Sequence, residues 1–258
     1  MTSPSLPRPV TRVRLFRIAA IAIAFAAALF WRPLAAWWCD DRGNIALARG
    51  DSASALTWFE RGLTFAPGSN TLLEDRGRAR LDDDPSGALA DFKASKCGQP
   101  CVAERGDAEV RLGRAGDAVR DYLAAHAAGR ITTTVAGLSA QHRYDDALAI
   151  ERALIRGLDP LLDQADIAAA EAQVGDLDVK AAEADQARRS LYRRDAIRAF
   201  SAANRLAPLN EGYLLSLGYS QMQWGDRREA RRAFERELEL HPTQPDAERG
   251  LALLAKEG

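Results

Sequence analysis

Five times along the chain an alanine is followed four residues later by an aromatic residue: Ala55/Phe59, Ala88/Phe92, Ala118/Tyr122, Ala196/Phe200 and Ala230/Phe234. Residues spaced by four lie one turn apart on the same face of an α-helix. The alanines are separated by 33, 30, 78 and 34 residues. A period of about 34 is what a helix-turn-helix unit needs when each helix takes about 13 residues. The pairs therefore predict an all-α array of hairpins. The small residue sits where two helices cross closely, and the aromatic fills the space toward the neighbouring hairpin.

Other residues fall into the same register. The last full unit reads Leu217-Gly218, a turn at Gly225-Asp226, Ala230, Phe234, Leu240 and a stop at Pro242. Proline lacks the amide hydrogen that would continue a helix, and Pro67 and Pro208 close two other units in the same way. This arrangement resembles the tetratricopeptide repeat, whose pattern is a Leu-Gly pair and an aromatic in the first helix, then alanine, an aromatic and a closing proline. The nearest matches are Gly43-Ala55-Phe59-Pro67, Ala196-Ala199-Phe200-Ala203-Pro208 and Leu217-Gly218-Ala230-Phe234-Pro242. The unit from Ser69 to Cys97 carries Arg76-Gly77 in place of Leu-Gly, and the unit around Ala118 has no closing proline. A sixth, at Ala147, has Glu151 in place of the aromatic and rests on helical periodicity and Asp159-Pro160.

The resemblance covers roughly residues 37–256. It implies a right-handed superhelical solenoid whose inner wall comes from the first helix of each hairpin, offering a surface to protein or peptide partners. On that wall it places Asn44, Leu47, Asp185, Arg188, Tyr219 and Met222. Tyr219 and Met222 fit either an adaptable apolar contact or packing against the next helix. The clamp that some relatives use for peptide carboxylates needs several Lys, Arg and Asn residues in successive first helices, and here only Asn44 is suitably placed.

Between repeats at 39–160 and 193–244 the register slips. Residues 163–174 read as one helix with Ile167, Ala170 and Val174 on one side, followed by Gly175-Asp176 and a second, polar helical stretch. Residues 161–192 thus read as an irregular helical connector, either an atypical repeat with a longer helix or a hinge. Residues 245–258 read as a capping helix with Leu251 and Leu254 toward the last hairpin.

The N-terminus has a different character. Arg8, Arg12, Arg14 and Arg17 precede the uncharged run Ile18 to Trp31, and Leu15 to Trp31 gives 17 positions with Arg17 snorkelling, the lower limit for crossing a hydrocarbon core. The expectation is a basic cytoplasmic tail at 1–14 and a transmembrane signal anchor at 15–38, with Trp31, Trp37 and Trp38 as an interfacial belt. Positive charge stays inside, so the repeats are expected outside the cytoplasm. The Ala- and Arg-rich, Lys-poor composition points to a bacterium, hence to an inner-membrane protein facing the periplasm. Cleavage near Ala35-Ala36, giving a secreted chain, is the competing expectation.

Composition and motifs narrow the function. Residues 1–39 hold five of the 35 basic residues and no acid, leaving 30 basic against 36 acidic residues in the repeats. Nucleic-acid binding would want a net basic face. The cluster Arg188, Arg189, Arg193, Arg194 and Arg198 is interleaved with Glu183, Asp185 and Asp195 and reads as a solvated, ion-paired face. Cys97 and Cys101, at a helix-to-helix turn, are a candidate disulfide in an oxidising compartment, or two buried thiols; Cys39 is either unpaired or links two chains. The chain lacks a second cysteine pair or nearby histidine to complete a metal site. His126, His142 and His241 are scattered without the partners that orient a nucleophile or base. Asp82-Asp83-Asp84-Pro85 reads as the first turn of a helix rather than a calcium loop. No cofactor, metal, nucleic acid or small-molecule substrate is expected. The expected function is a non-enzymatic, membrane-anchored adaptor for envelope proteins; the alternative is a structural subunit of a transport, polysaccharide-export or cytochrome-maturation assembly.

Overall fold

The alanine–aromatic pairs form the contact lines of α-helical hairpins in the computed structural model, which describes residues 10–96 and 98–256, with side chains at residue 20 and from residue 30 onward. The helices are α1 (Val10–Ala48), α2 (Ser52–Phe65), α3 (Asn70–Arg80), α4 (Pro85–Ala94), α5 (Gln99–Arg111), α6 (Ala115–Ala124) and α7 (Ala128–Ala140). They continue as α8 (Tyr144–Gly157), α9 (Gln164–Ala184), α10 (Arg189–Leu206), α11 (Tyr213–Gln223), α12 (Arg227–Leu240) and α13 (Pro245–Lys256). Among the described residues there is no strand. The chain divides into two compact units, residues 1–108 and 109–258. All five aromatic knobs, Phe59, Phe92, Tyr122, Phe200 and Phe234, are buried.

In the first unit α1 packs on α2 and α3 on α4, with α2 against α3. Each second helix carries its knob into a gap left by a glycine of the first. Phe59 lies over Gly43, and Phe92 over Gly77, where a Cβ would come within 2.7 Å of the ring. Arg76-Gly77 therefore serves as the Leu-Gly position, because the glycine makes the hole. The core joins Ala36, Ala55, Phe59, Leu72 and Ala79. Helix α4 begins as the sequence implies: Pro85 opens it and Asp84 Oδ1 accepts from the Gly87 amide at 2.9 Å.

Helix α1 runs unbroken through Pro33, so the first helix of the first hairpin continues the N-terminal segment. Packing reaches back to Ala36, inside the stretch 15–38 expected to be anchor. Trp31 stacks edge-on against Phe65 at 5.5 Å, and Arg32 donates to the Thr64 carbonyl at 3.3 Å. Among the described residues no helix is long and apolar enough to cross a membrane. Most of the expected tail at 1–14, and the side chains of most of Leu15 to Trp31, lie outside the described residues.

In the second unit α9 and α10 form the longest hairpin. Within residues 161–192 the chain does not break at Gly175-Asp176, and the longer helix of an atypical repeat is what forms there. Helix α9 passes straight through that pair, and Gly175 is the hole for Phe200, a Cβ there falling 2.6 Å from the ring. At the C-terminal end Phe234 is held from two sides: a Cβ at Gly218 of α11 or at Gly250 of α13 would lie 2.6 Å from it. Ala247 and Leu254 of α13 complete this core, with Leu251 partly buried against it. The cap thus packs as another first helix.

Left-handed residues stand in the turns that follow several helices. Gly225 (φ 85°) ends α11, with the Asp226 amide donating to the Gln221 carbonyl at 2.9 Å. His142 (φ 58°) holds the same left-handed position between α7 and α8, where the Arg143 amide reaches the Leu138 carbonyl at 2.9 Å, and His126 (φ 52°) follows α6. Two of the three histidines are thus turn residues.

Candidate functional site

In the first unit the polar side chains of successive first helices face one another. Asn44 Nδ2 on α1 donates to Asp75 Oδ2 on α3 at 2.9 Å. Arg78 donates from Nε to both oxygens of Glu104 on α5 at 2.8 and 2.9 Å, and from Nη1 to Asp75. Asp40, on the same wall, is pushed up to about 6 by burial and by the neighbouring Asp75 carboxylate. Behind the wall, Arg76 and Arg80 grip the buried Asp91 of α4 at 2.5 to 3.0 Å. Asn44 is therefore committed to a carboxylate of its own chain, and its surroundings are acidic. Leu47 is half-buried against the Phe59 core.

In the second unit Asp185 and Arg188 come together beside Asp145 and Tyr192, around an open cavity of about 620 Å³. Arg188 Nε donates to Asp185 Oδ2 at 2.7 Å and Nη2 to Asp145 Oδ2 at 2.9 Å. The Tyr192 hydroxyl donates to Asp145 Oδ1 at 2.7 Å, and the guanidinium lies 5.0 Å over the Tyr192 ring. Arg188 thus carries local ion pairs, as an interleaved charged face implies. Tyr219 and Met222 resolve toward packing: both are partly buried against the Phe234 core. The Tyr219 ring stacks edge-on against Phe234 at 5.0 Å, and its hydroxyl donates to the Asp246 carbonyl at 2.7 Å. The structure therefore pairs Asp185 with Arg188 and Tyr219 with Met222, in separate settings.

The residue that sequence reasoning passed over is Glu151. It occupies the aromatic position of the α7–α8 hairpin and is only 4% exposed. Gly43 and Gly218 each precede their alanine by twelve residues, and twelve before Ala147 stands Val135. This hairpin thus has a valine where the others have glycine and a carboxylate where they have a ring. Beside the shortened knob a cavity of about 390 Å³ opens, lined by Leu123, Ile131, Leu154 and Leu158, with Glu151 and the exposed Asp166 as its acids. Burial alone pushes Glu151 up to about 7. The signal was the missing aromatic itself, which reads as a weak repeat until the structure shows what replaces it.

A fully buried Asp178 on α9 meets Arg152 at 3.4 Å and is pushed up to about 7, chiefly by burial. Cys39 is buried and free, its thiol raised by burial. Cys101 is buried, its sulfur 3.8 Å from the Ser95 hydroxyl; Cys97 lies outside the described residues. Among the described residues no three His, Cys, Asp or Glu side chains converge as metal ligands.

No protein-family model and no curated protein matches the chain. Solved structures do. The crystal structure of MamA protein is 16% identical, covers 81% of this chain and 92% of its own, and has a TM-score of 0.32. The P58(IPK) TPR domain is 16% identical over 90% of this chain and 67% of its own, at 0.37. The TPR2AB-domain:pHSP90 complex of yeast Sti1 is 12% identical over 85% and 96%, at 0.35. Likenesses of this size assign neither partner nor ligand; the all-α hairpin architecture stands on the packing described above.

Proposed function

We propose that the chain is a non-enzymatic scaffold that binds protein partners, held at a bacterial inner membrane by its N-terminal helix with the hairpins on the periplasmic side. The observation that carries this reading is the division of labour within each hairpin. The alanine, glycine and aromatic face is consumed in packing, while beside the second-unit helices open cavities of about 390 to 620 Å³ lined by mixed charged and apolar side chains. Such cavities are of the size that takes side chains or short segments. Tethering strengthens weak contacts of this kind by raising the effective concentration of a membrane-confined partner.

A second reading, a structural subunit of a transport, polysaccharide-export or cytochrome-maturation assembly, gains support from α1 itself. Phe30, Trp31, Leu34, Trp37 and Trp38 are exposed on it. Trp38 stacks against Trp58 at 5.1 Å, with Arg42 and Arg61 over the two rings. This aromatic face suits either a headgroup layer or a partner helix.

Replacement of residues 1–29 by an unrelated anchor separates the two readings and spares Trp31, Arg32 and Ala36, which pack on the first hairpin. Crosslinking and affinity capture from detergent are expected to recover the same partners from the exchanged protein. Loss of those partners from a folded variant transfers the function to the original helix. A reporter fused after Gly258 is expected to be active only outside the cytoplasm; cytoplasmic activity overturns the orientation.

A further inference from the structure

We propose that the cavity beside Glu151 is a binding site for an alkylammonium group, the end of a lysine side chain or of a free aliphatic amine. This deepens the scaffold reading by naming what one of its cavities takes. The shape of the site comes from the loss of the aromatic knob in one hairpin. In the last hairpin the space between first helix, second helix and following helix is filled by Phe234, against Gly218 and Gly250. In the α7–α8 hairpin the corresponding second-helix position holds a carboxylate, and the space toward α9 stays open as a cavity of about 390 Å³.

Its walls are an aliphatic sleeve from Leu123, Ile131, Leu154 and Leu158. At the sleeve sits Glu151, as a residue more than nine-tenths buried, its carboxylate lining the cavity with no hydrogen bond or ion pair among the described residues. A buried, unanswered carboxylate costs free energy unless a cation or donor meets it. The chain supplies no cation there: the lining includes no lysine or arginine, its second charge is another acid, Asp166 on α9, and its two neutral donors, Thr132 and Gln173, make no hydrogen bond to Glu151. An apolar stem to fill the sleeve and a positive head to meet Glu151 satisfy both demands. An anionic ligand fails the second, and a hydrated metal ion fails the first.

The test uses the full chain in non-denaturing detergent, with methyl resonances of Ile131 and Leu154 read during titration by hexylammonium, Nα-acetyl-lysine methylamide and hexanol. Hexylammonium is expected to bind about tenfold or more tighter than hexanol, the difference a charge-assisted hydrogen bond makes. Glu151→Gln is expected to abolish that preference while leaving the fold, checked by far-UV circular dichroism, unchanged. Binding of the lysine amide together with hexylammonium assigns the site to a lysine side chain, and binding of hexylammonium alone assigns it to a free amine. Equal binding of hexylammonium and hexanol to the native chain, or an undiminished preference in Glu151→Gln, overturns the proposal. Neither result depends on whether a protein partner has been captured, so failure here and failure of the scaffold reading are separable.

Discussion

Phe234→Ala is expected to destabilise the region formed by α11, α12 and α13 by about 3–5 kcal/mol, the range for removing a fully buried aromatic without collapse of the cavity it leaves. The ring is fully buried, and two glycines approach it from opposite sides at distances no Cβ tolerates. The walls therefore cannot close by small shifts. Gly218→Ala attacks the same contact from the other side by overfilling it, with an expected cost of about 1–3 kcal/mol. Amide hydrogen exchange of these helices in the full chain is the suitable reading, because stacked hairpins open locally as well as globally. An alanine at exposed Leu209, in the turn before α11, is expected to change protection by less than about 0.5 kcal/mol. Equal effects at Phe234 and Leu209 would remove the knob from the account.

Glu151→Leu is expected to stabilise the second unit by about 2 kcal/mol above neutral pH, through removal of a buried, unpaired charge. The effect disappears in acid, and its sign follows from linkage. The folded chain holds the Glu151 proton up to about 7, whereas an unfolded glutamate releases it near its ordinary value of 4.5. Folding therefore draws a stabilising contribution from this group that is complete below 4.5 and is lost as pH rises through about 7. Of the helices lining the cavity, α6 and α7 contribute no titratable side chain and α9 contributes Asp166. Asp178, raised in the same direction, leaves a residual slope in the variant. Urea midpoints measured from pH 4 to 8 should fall with pH in the native chain and fall distinctly less in Glu151→Leu. Parallel profiles contradict the assignment.

The hairpins were legible because their defining contact is nearly local. Ala55 and Phe59, or Ala230 and Phe234, lie one turn apart on one helix, and repetition at a common interval leaves little else to explain them. Glycine proved harder to interpret. Gly175 followed by Asp176 has the chemistry of a helix break, and only the position of Phe200 on the next helix shows that it is a hole inside a continuous α9. Pro33 likewise has the chemistry of a helix break, yet α1 continues through it. The groove positions were the least legible part. Tyr219 and Met222 carry the right chemistry for a contact surface, yet both are partly buried against the Phe234 core, and the Tyr219 hydroxyl bonds the Asp246 carbonyl of α13, 27 residues further on. Asn44 lies on α1, but its partner Asp75 is 31 residues away. Glu151 stood in plain view as a departure from the pattern. Its meaning needed the open space beside it.

Small and large residues on facing helices hold the hairpins that carry an aromatic knob together as matched pairs. A double-mutant cycle between Gly218→Ala and Phe234→Leu, read by hydrogen exchange in α11 and α12, tests it most directly. The cost of Gly218→Ala is expected to shrink by about 1 kcal/mol or more once the ring has been replaced by the smaller leucine, since the two changes act on one contact. Costs that simply add, to within about 0.3 kcal/mol, would contradict it.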